Sequence, residues 1–578
     1  MAEPDDKGPR FSTASHPGRA SIDSISPGVA RTEATASHLT NANRACILFG
    51  ILIASWAYGL DNTLRQTYQS LAVNALNANA QLATLTVVKA VIGAAAQPTA
   101  AKIADVFGRM EVLVASVIFY VVGSVIEASA NNPATLTAGA AIYQIGFTMA
   151  VLILEVIVAD TTSLRARLFV SYIPAMPFLV NTWVGGEVMD EIEALGSWRY
   201  GFWIWCVIYP ICNFPLFVSL WWVNHKAKKA GTLRQYKTPV QEHGAWAVTK
   251  ALFWQLDFVG LVLTVCVFGF LLVPLTINSG NGETWDQAKF IAPLVIGALL
   301  IPFWIRWESI APHPMVPFYL LKDRAVWGAL AIGFFLMFFA FNQSGKAANR
   351  ICALYSFCST LAGIGVGMVV YRVRRLKPFI LCGTCLFLVA LGLMIYYRGG
   401  VGTHSGVIGA QVLLGVAGGF FPYAAQASIQ AATSHEHVAV VTGLYLSMYN
   451  IGSAVGNAVS GVVMSQTVPK QLRARGLNDA AANKWFKAPL DLIDGFPPGK
   501  FQRNEAIEAY KYFQRVVCII GACGCLALIV FAFYIRNPRL PDTQSLPYEE
   551  LPQKDQDPEQ RESHVLEAYP IYRPVDRQ

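Results

Sequence analysis

Charge is what this chain of 578 residues has least of: 14% of its residues are Asp, Glu, Lys or Arg, against 54% hydrophobic. A soluble protein of this length carries roughly a quarter charged residues. The deficit excludes an ordinary water-facing surface and points to lipid, where charge is costly. Alternation at period 2 is missing too, which argues against a barrel and leaves helices to satisfy the backbone. The presumed outside loops hold none of the eleven cysteines, which all fall within or beside apolar segments, so no disulfide framework is expected. Cys382 and Cys385 form a CxxC inside an apolar run and read as packing. No phosphate-binding loop, nucleophile–base pair or metal-ligand spacing occurs. That argues against an enzyme, against ATP-driven pumping and against a bound cofactor.

Apolar stretches of about twenty residues recur along the chain, each long enough to cross about 30 Å of hydrocarbon. The net charge of +8 does not point to nucleic acid, because the basic residues cluster in short connectors. Residues 1–43, rich in Ser, Pro, Ala and charge, read as a disordered cytosolic tail. No apolar h-region follows the first residues, so no cleavable signal peptide is expected and the first span inserts the chain. Spans fall near 44–62, 80–101, 110–129, 133–158, 167–187 and 199–223, an amino-terminal six-helix bundle over 44–223. A basic connector, 224–256, leads to two additional helices within 257–306, near 257–277 and 288–306. The carboxyl-terminal six-helix bundle covers 326–535, with spans near 326–341, 350–371, 378–397, 406–430, 440–465 and 514–535. It includes a long outside loop over 466–513, and 536–578 form a second cytosolic tail. The expected fold is thus an all-α integral membrane protein of about fourteen spans, with both termini cytosolic. Arg109, Arg165, Arg167, the 226–237 cluster, Arg306, Arg324 and the run Arg372 to Lys377 all then face inward.

The connector after the second span, Ala101 to Glu111, reads AKIADVFGRME. It resembles the signature loop of the major facilitator superfamily. Gly108 permits a tight turn, while Asp105 and Arg109 suit a conformational latch between helix ends. The later counterpart, Arg372 to Lys377, keeps the basic character and lacks the Asp. Parallel halves of this kind place a substrate site between them, near the midplane.

Ionisable residues within spans are the first pointers to function. Asp61, Lys89 and Glu155 are the proton-coupling candidates, with Asp61 and Lys89 close enough to pair; a carboxyl in low dielectric can change protonation between states. Glu187 lies near the outer end of span five. Lys89, Gly93 and Gln97 share one helix face. Tyr423, Gln426 and Gln430 share a face of span twelve, and Tyr445, Tyr449, Ser453 and Asn457 one of span thirteen. Beside the latter, Gly452 and Gly456 form GxxxG, which allows close helix contact. With Tyr58, Tyr172, Trp183 and Tyr355, the residues Gln97, Tyr423, Gln426, Tyr445 and Tyr449 are candidates for lining a cavity. Pro174 and Pro177 should kink span five.

Several longer strings, taken in order, resemble the fungal siderophore–iron transporters of that superfamily. They are Tyr58 to Asp61, Val91 to Arg109, Ala159 to Arg165, Trp198 to Gly201, Gly418 to Tyr449 and Arg536 to Pro538. The match covers about residues 44 to 547. Two features depart from the family pattern: the ninth span is short, and Lys89 stands where the family commonly has Arg. The resemblance implies the major facilitator fold and proton-symport uptake of ferric siderophore chelates of the hydroxamate class by alternating access. It also implies a monomer in the lipid bilayer, in the plasma membrane or an endosomal vesicle. The long loop 466–513 is then an element of capture or gating, or a structural Ω-type loop. A free cation would need converging Asp, Glu, His or Cys ligands, which the spans lack. His435 and His437, flanking Glu436, read as a solvated turn. The same architecture suits a multidrug–proton antiporter or a non-transporting nutrient receptor. The sequon at Asn342 faces outward close to the bilayer.

Overall fold

The computed structural model describes residues 39–76, 82–230, 253–281 without 255, 287–311, 323–340, 346–399, 404–433, 437–487 and 496–542 without 498, with isolated positions 35, 314, 315 and 321. The sequon at 342–344, residues 434–436, most of both expected tails and most of the basic connector lie outside these. Among the described residues there is no strand.

In chain order the helices are α1 Asn41–Ala75, α2 Leu82–Phe107, α3 Arg109–Ala128, α4 Pro133–Thr161, α5 Leu164–Val170, α6 Phe178–Ala194 and α7 Trp198–Lys229. Then come α8 Phe258–Asn281 and α9 Ala288–Ile310. The remainder are α10 Arg324–Ala340, α11 Lys346–Val373, α12 Lys377–Gly399, α13 His404–Gly418, α14 Pro422–Ala431, α15 Val438–Ala474, α16 Asp479–Lys487 and α17 Phe501–Tyr534. Among the described residues, eleven helical stretches are long and apolar enough to cross a membrane, α13 and α14 counting together. Of the fourteen expected spans, the second, fifth and ninth are not among them. Helix α2, which carries Lys89, Gln97 and many small residues, packs against α4, α8 and α15. The fifth is broken into α5 and α6. The ninth is represented by α10, which has 17 residues, Arg324–Ala340.

The break in the fifth follows from its prolines. Pro174 and Pro177 carry no N–H, so the ladder fails over residues 171–177, and the chain turns through bonds such as Ile173 N to Val170 O (2.9 Å). The sequence suggests a kink there; the structure has a full break. Span twelve breaks as well, at Gly419 to Phe421, before Pro422 opens α14 at its first turn.

Helices α1 to α7 form one half around a core that includes Ile51, Ala54, Tyr68, Tyr120, Leu152 and Phe202. Helices α10 to α15 and α17 form the other, around Leu330, Phe387, Phe421, Leu444 and Leu528. The halves meet along two seams: α2 against α15, and α5 with α6 against α11. Helices α8 and α9 pack on each other, and α8 lies across α2 and α15, burying Val87, Val91, Leu272 and Ala454. Asp257 accepts from Gly260 N (3.0 Å) and Trp307 Nε1 (2.7 Å), starting α8 and tying it to α9. The segment expected as the loop 466–513 is largely helical where described. Helix α15 runs on to Ala474, α16 follows, and α17 begins at Phe501; Val468, Leu472, Trp485 and Phe513 give this cap its own core.

Helices α3 and α4 touch backbone to backbone. A Cβ on Gly123 would collide with the main chain of Tyr143, and one on Gly146 with that of Tyr120. Gly452 of the expected GxxxG likewise admits the Phe334 carbonyl of α10. Gly146→Val is therefore expected to cost about 1–3 kcal/mol or more by overpacking, read as a lowered melting temperature of the purified chain in detergent. Gly186→Ala, with open space around it, should leave the melting unchanged or raised.

Candidate functional site

On α1, Asp61, Arg65 and Gln69 stand four residues apart on one face, all buried. The Arg65 Nε donates to both Asp61 oxygens (3.1 and 3.0 Å). Its Nη2 donates to Ser124 Oγ (2.9 Å), and its Nη1 is paired with Glu127 of α3. Gln69 Nε2 donates to Glu127 Oε1 (2.7 Å), and Lys89 of α2 donates to Gln69 Oε1 (2.9 Å). Tyr143 donates to Asp61 at 3.0 Å and Tyr120 also bonds it. The Arg65 guanidinium lies 3.6 Å from the Tyr143 ring centroid. Two carboxylates thus face two cations inside one half, with hydroxyls and an amide filling the remaining valences. Such a network is strongly held because each member would be costly alone in low dielectric. The glycine contacts of α3 and α4 bring Tyr120 and Tyr143 to Asp61. Asp61 and Lys89, expected to pair directly, are joined instead through Arg65, Glu127 and Gln69.

A second cluster bridges the halves. Glu155 of α4, 5% exposed, accepts from Gln426 Nε2 of α14 at 3.0 Å. Tyr172, in the break between α5 and α6, donates to the Gly419 carbonyl at 2.6 Å, and that carbonyl lies in the break of span twelve. Its ring packs 4.6 Å from Tyr423 and against Gly363, where a Cβ would collide. Tyr445 donates to the Pro422 carbonyl (2.9 Å), and Ser447 to Ala94 of α2 (2.6 Å). Tyr58, edge-on to Phe147 at 5.7 Å, lies with Tyr423 within electrostatic reach of Glu155. Tyr355 packs over Gly418 and is within such reach of Tyr449. Glu155 forms no ion pair among the described residues.

Of the expected cavity residues, Tyr58, Tyr172, Tyr355, Tyr423, Gln426, Tyr445 and Tyr449 gather around this seam. Gln97, buried on α2, keeps its Oε1 without a hydrogen-bond partner among the described residues. Trp183 stands apart: it is 70% exposed on α6, edge-on to Phe357. Glu187 is exposed. Among the described residues, no three His, Cys, Asp or Glu side chains converge as a metal site would need.

At the end where α1 begins, the expected latch residues meet. Gly108 adopts φ +116° between α2 and α3, a left-handed turn that favours glycine. Arg109 Nε donates to Asp160 (2.8 Å), while its Nη1 reaches Ala104 O (2.8 Å) and Asp105 (3.2 Å). Asp160 was not singled out from the sequence, although it sits in a string noted there. In the other half, Asp542, beyond α17, lies 3.1 Å from Arg165 and 3.1 Å from Arg374. Arg65, Gln69, Glu127 and Asp542 were missed. The signal for the first two was their four-residue spacing from Asp61.

The model of the Major Facilitator Superfamily matches residues 327–470. The siderophore iron transporter ARN1 of Saccharomyces cerevisiae is 38% identical over 537 residues, covering 89% of this chain and 86% of that protein. Siderophore iron transporter 1 of the same yeast is 37% identical, covering 92% and 88%. The siderophore iron transporter mirC of Emericella nidulans is 30% identical, covering 90% and 88%. Among solved structures, the proton:xylose symporter XylE aligns with 86% of this chain and 97% of its own at 12% identity, with a TM-score of 0.47.

Removing Arg65 tests the buried network. Arg65→Met leaves Asp61 and Glu127 without their shared cation, and is expected to destabilise by about 3–5 kcal/mol. Lys89→Met removes the cation that touches neither carboxylate directly and is bonded to an amide, and should cost less, about 1–3 kcal/mol. Thermal melts of both variants in detergent check the order; equal losses would contradict it.

Proposed function

The chain belongs to the fungal siderophore iron transporter family of the major facilitator superfamily, and on that premise we propose that it imports ferric siderophores by proton symport with alternating access. The end bearing Gly108, Arg109 and Arg374 faces the cytosol, as the basic connectors favour, and both termini lie there. The substrate arrives with its iron already coordinated, so the protein supplies a polar and aromatic cavity rather than metal ligands. The tyrosines of the seam, with Gln97 and Gln426, offer hydroxyls, amides and ring faces of that kind, suited to the neutral oxygen-rich surface of a hydroxamate chelate.

The observation that carries the proton coupling is Glu155, a buried carboxyl whose partner is an amide of the opposite half. Without a counter-charge, a carboxylate in low dielectric is costly, and taking a proton removes that cost. Gln426 can donate to the carboxylate or, with its amide turned, accept from the carboxylic acid. The bridge between halves therefore suits either state, while only the neutral state suits an occluded seam. Asp61 and Lys89 belong to a charge-balanced network, and their role here is to keep α1 to α4 one rigid body that rocks as a unit.

The test is uptake of radioactive iron bound to a panel of siderophores, in yeast lacking its own carriers, at two external pH values. Saturable uptake of a hydroxamate complex, stronger at acid pH, is expected. Absence of uptake with the protein at the surface would overturn the reading in favour of an exporter or a receptor. Glu155→Gln should reach the membrane, lower uptake about five- to hundredfold, the span of an ordinary coupling energy, and abolish its pH dependence. Retained pH dependence would remove Glu155 from the proton step.

A further inference from the structure

The second-half loop Arg372 to Lys377 lacks the acidic residue that its first-half counterpart has in Asp105. The structure supplies a carboxylate there from elsewhere in the chain. Past the last helix, residues 535–542 fold back under the bundle. Ile535 and Leu540 are each 1% exposed, in a core shared with Leu164 and Leu168 of the first half. The segment is fastened to both halves through its backbone: Leu540 N donates to Arg374 O (2.9 Å), and Arg165 N donates to Pro541 O (3.2 Å). Asp542 then sits between two guanidinium groups, 3.1 Å from Arg165 Nη1 and 3.1 Å from Arg374 Nη2. Arg165 also donates from Nε to the Tyr371 carbonyl (2.9 Å) and lies over the Tyr371 ring. Arg165 opens α5 in the first half, while Tyr371 and Arg374 end α11 in the second.

We propose that the segment Leu540 to Asp542 is a strap across the cytosolic mouth, and that Asp542 is a positioning residue that holds the halves together there. Alternating access requires Arg165 and Arg374 to separate when the mouth opens, so Asp542 must let go of one of them. The first-half cluster of Arg109, Asp105 and Asp160 lies within a single half and does not have to break in this way. Hydrogen bonding from Arg165 holds the Asp542 carboxyl below the ordinary carboxylate range. A depressed value keeps this pairing in force above the ordinary range and loses it only as pH falls through the lowered value. The clasp is therefore closed throughout the cytosolic range, and its charges are exposed enough to be screened by salt.

The strap depends on the orientation proposed above but not on the cargo, and its readout is accessibility rather than uptake. Ala431 is fully buried at the cytosolic end of α14. Ala431→Cys is introduced into the full chain, and inside-out vesicles are treated with a membrane-impermeant maleimide. Modification at position 431 is followed by mass spectrometry. Adding Asp542→Asn is expected to speed that modification about two- to fivefold, the factor that an exposed ion pair commands. Arg165→Gln should act similarly, and the two together should add little to either alone. High salt should speed the modification with Asp542 present and have little effect in Asp542→Asn. Rates indifferent to both Asp542→Asn and salt would overturn the strap. Should Asp542→Asn fail to reach the membrane, the salt response of the Asp542-bearing chain decides alone.

Discussion

A helix that breaks inside a membrane leaves backbone groups that water cannot reach, and those groups must find partners within the protein. Two breaks in this chain, over residues 171–177 and 419–421, lie opposite one another across the seam between halves. Tyr172 occupies the first break and satisfies the Gly419 carbonyl of the second. Much of the neighbourhood follows from that contact. Gly363 must lack a side chain to admit the ring, Pro422 restarts the helix, and α14 then presents Gln426 to Glu155.

Charge is distributed according to the same constraint. In the first half, Asp61, Arg65, Glu127 and Lys89 neutralise one another among tyrosines and an amide. Nothing there needs to change for the half to move as a body. At the seam the carboxyl of Glu155 accepts from an amide and has no cation paired with it among the described residues; under the proposed symport a proton balances it. The two arrangements give buried ionisable side chains different surroundings, a balanced network in one and a lone amide in the other.

Much of this was legible in the sequence. Apolar runs located most of the helices, and the Gly108 turn with Asp105 and Arg109 was readable as a string, because local spacing carries it. Less legible was whatever depended on helices outrunning the bilayer. The first span was cut near residue 62, whereas α1 continues to Ala75, so Arg65 and Gln69 passed for loop residues. Helix α2 looked like any other span, although it packs against α15 and α8 at the interface between halves. Asp160, Glu127 and Asp542 act through partners far away in the chain, and no periodicity announces such pairs. Pro174 and Pro177 signalled a disturbance, but whether helix bends or breaks depends on what stands opposite, here a carbonyl released by another break.

The placement of α8 also bears on how the molecule moves. It touches α2 and α15 together, at one of the two seams, whereas no helix covers the seam of α5 and α6 with α11 in this way among the described residues. Two bodies fastened along one edge by a third turn about that edge, as a book turns on its spine. Opening on this view is lopsided, widest at the uncovered margin. A bulky, rounded cargo would then pass nearest to the broken helices and farthest from the spine.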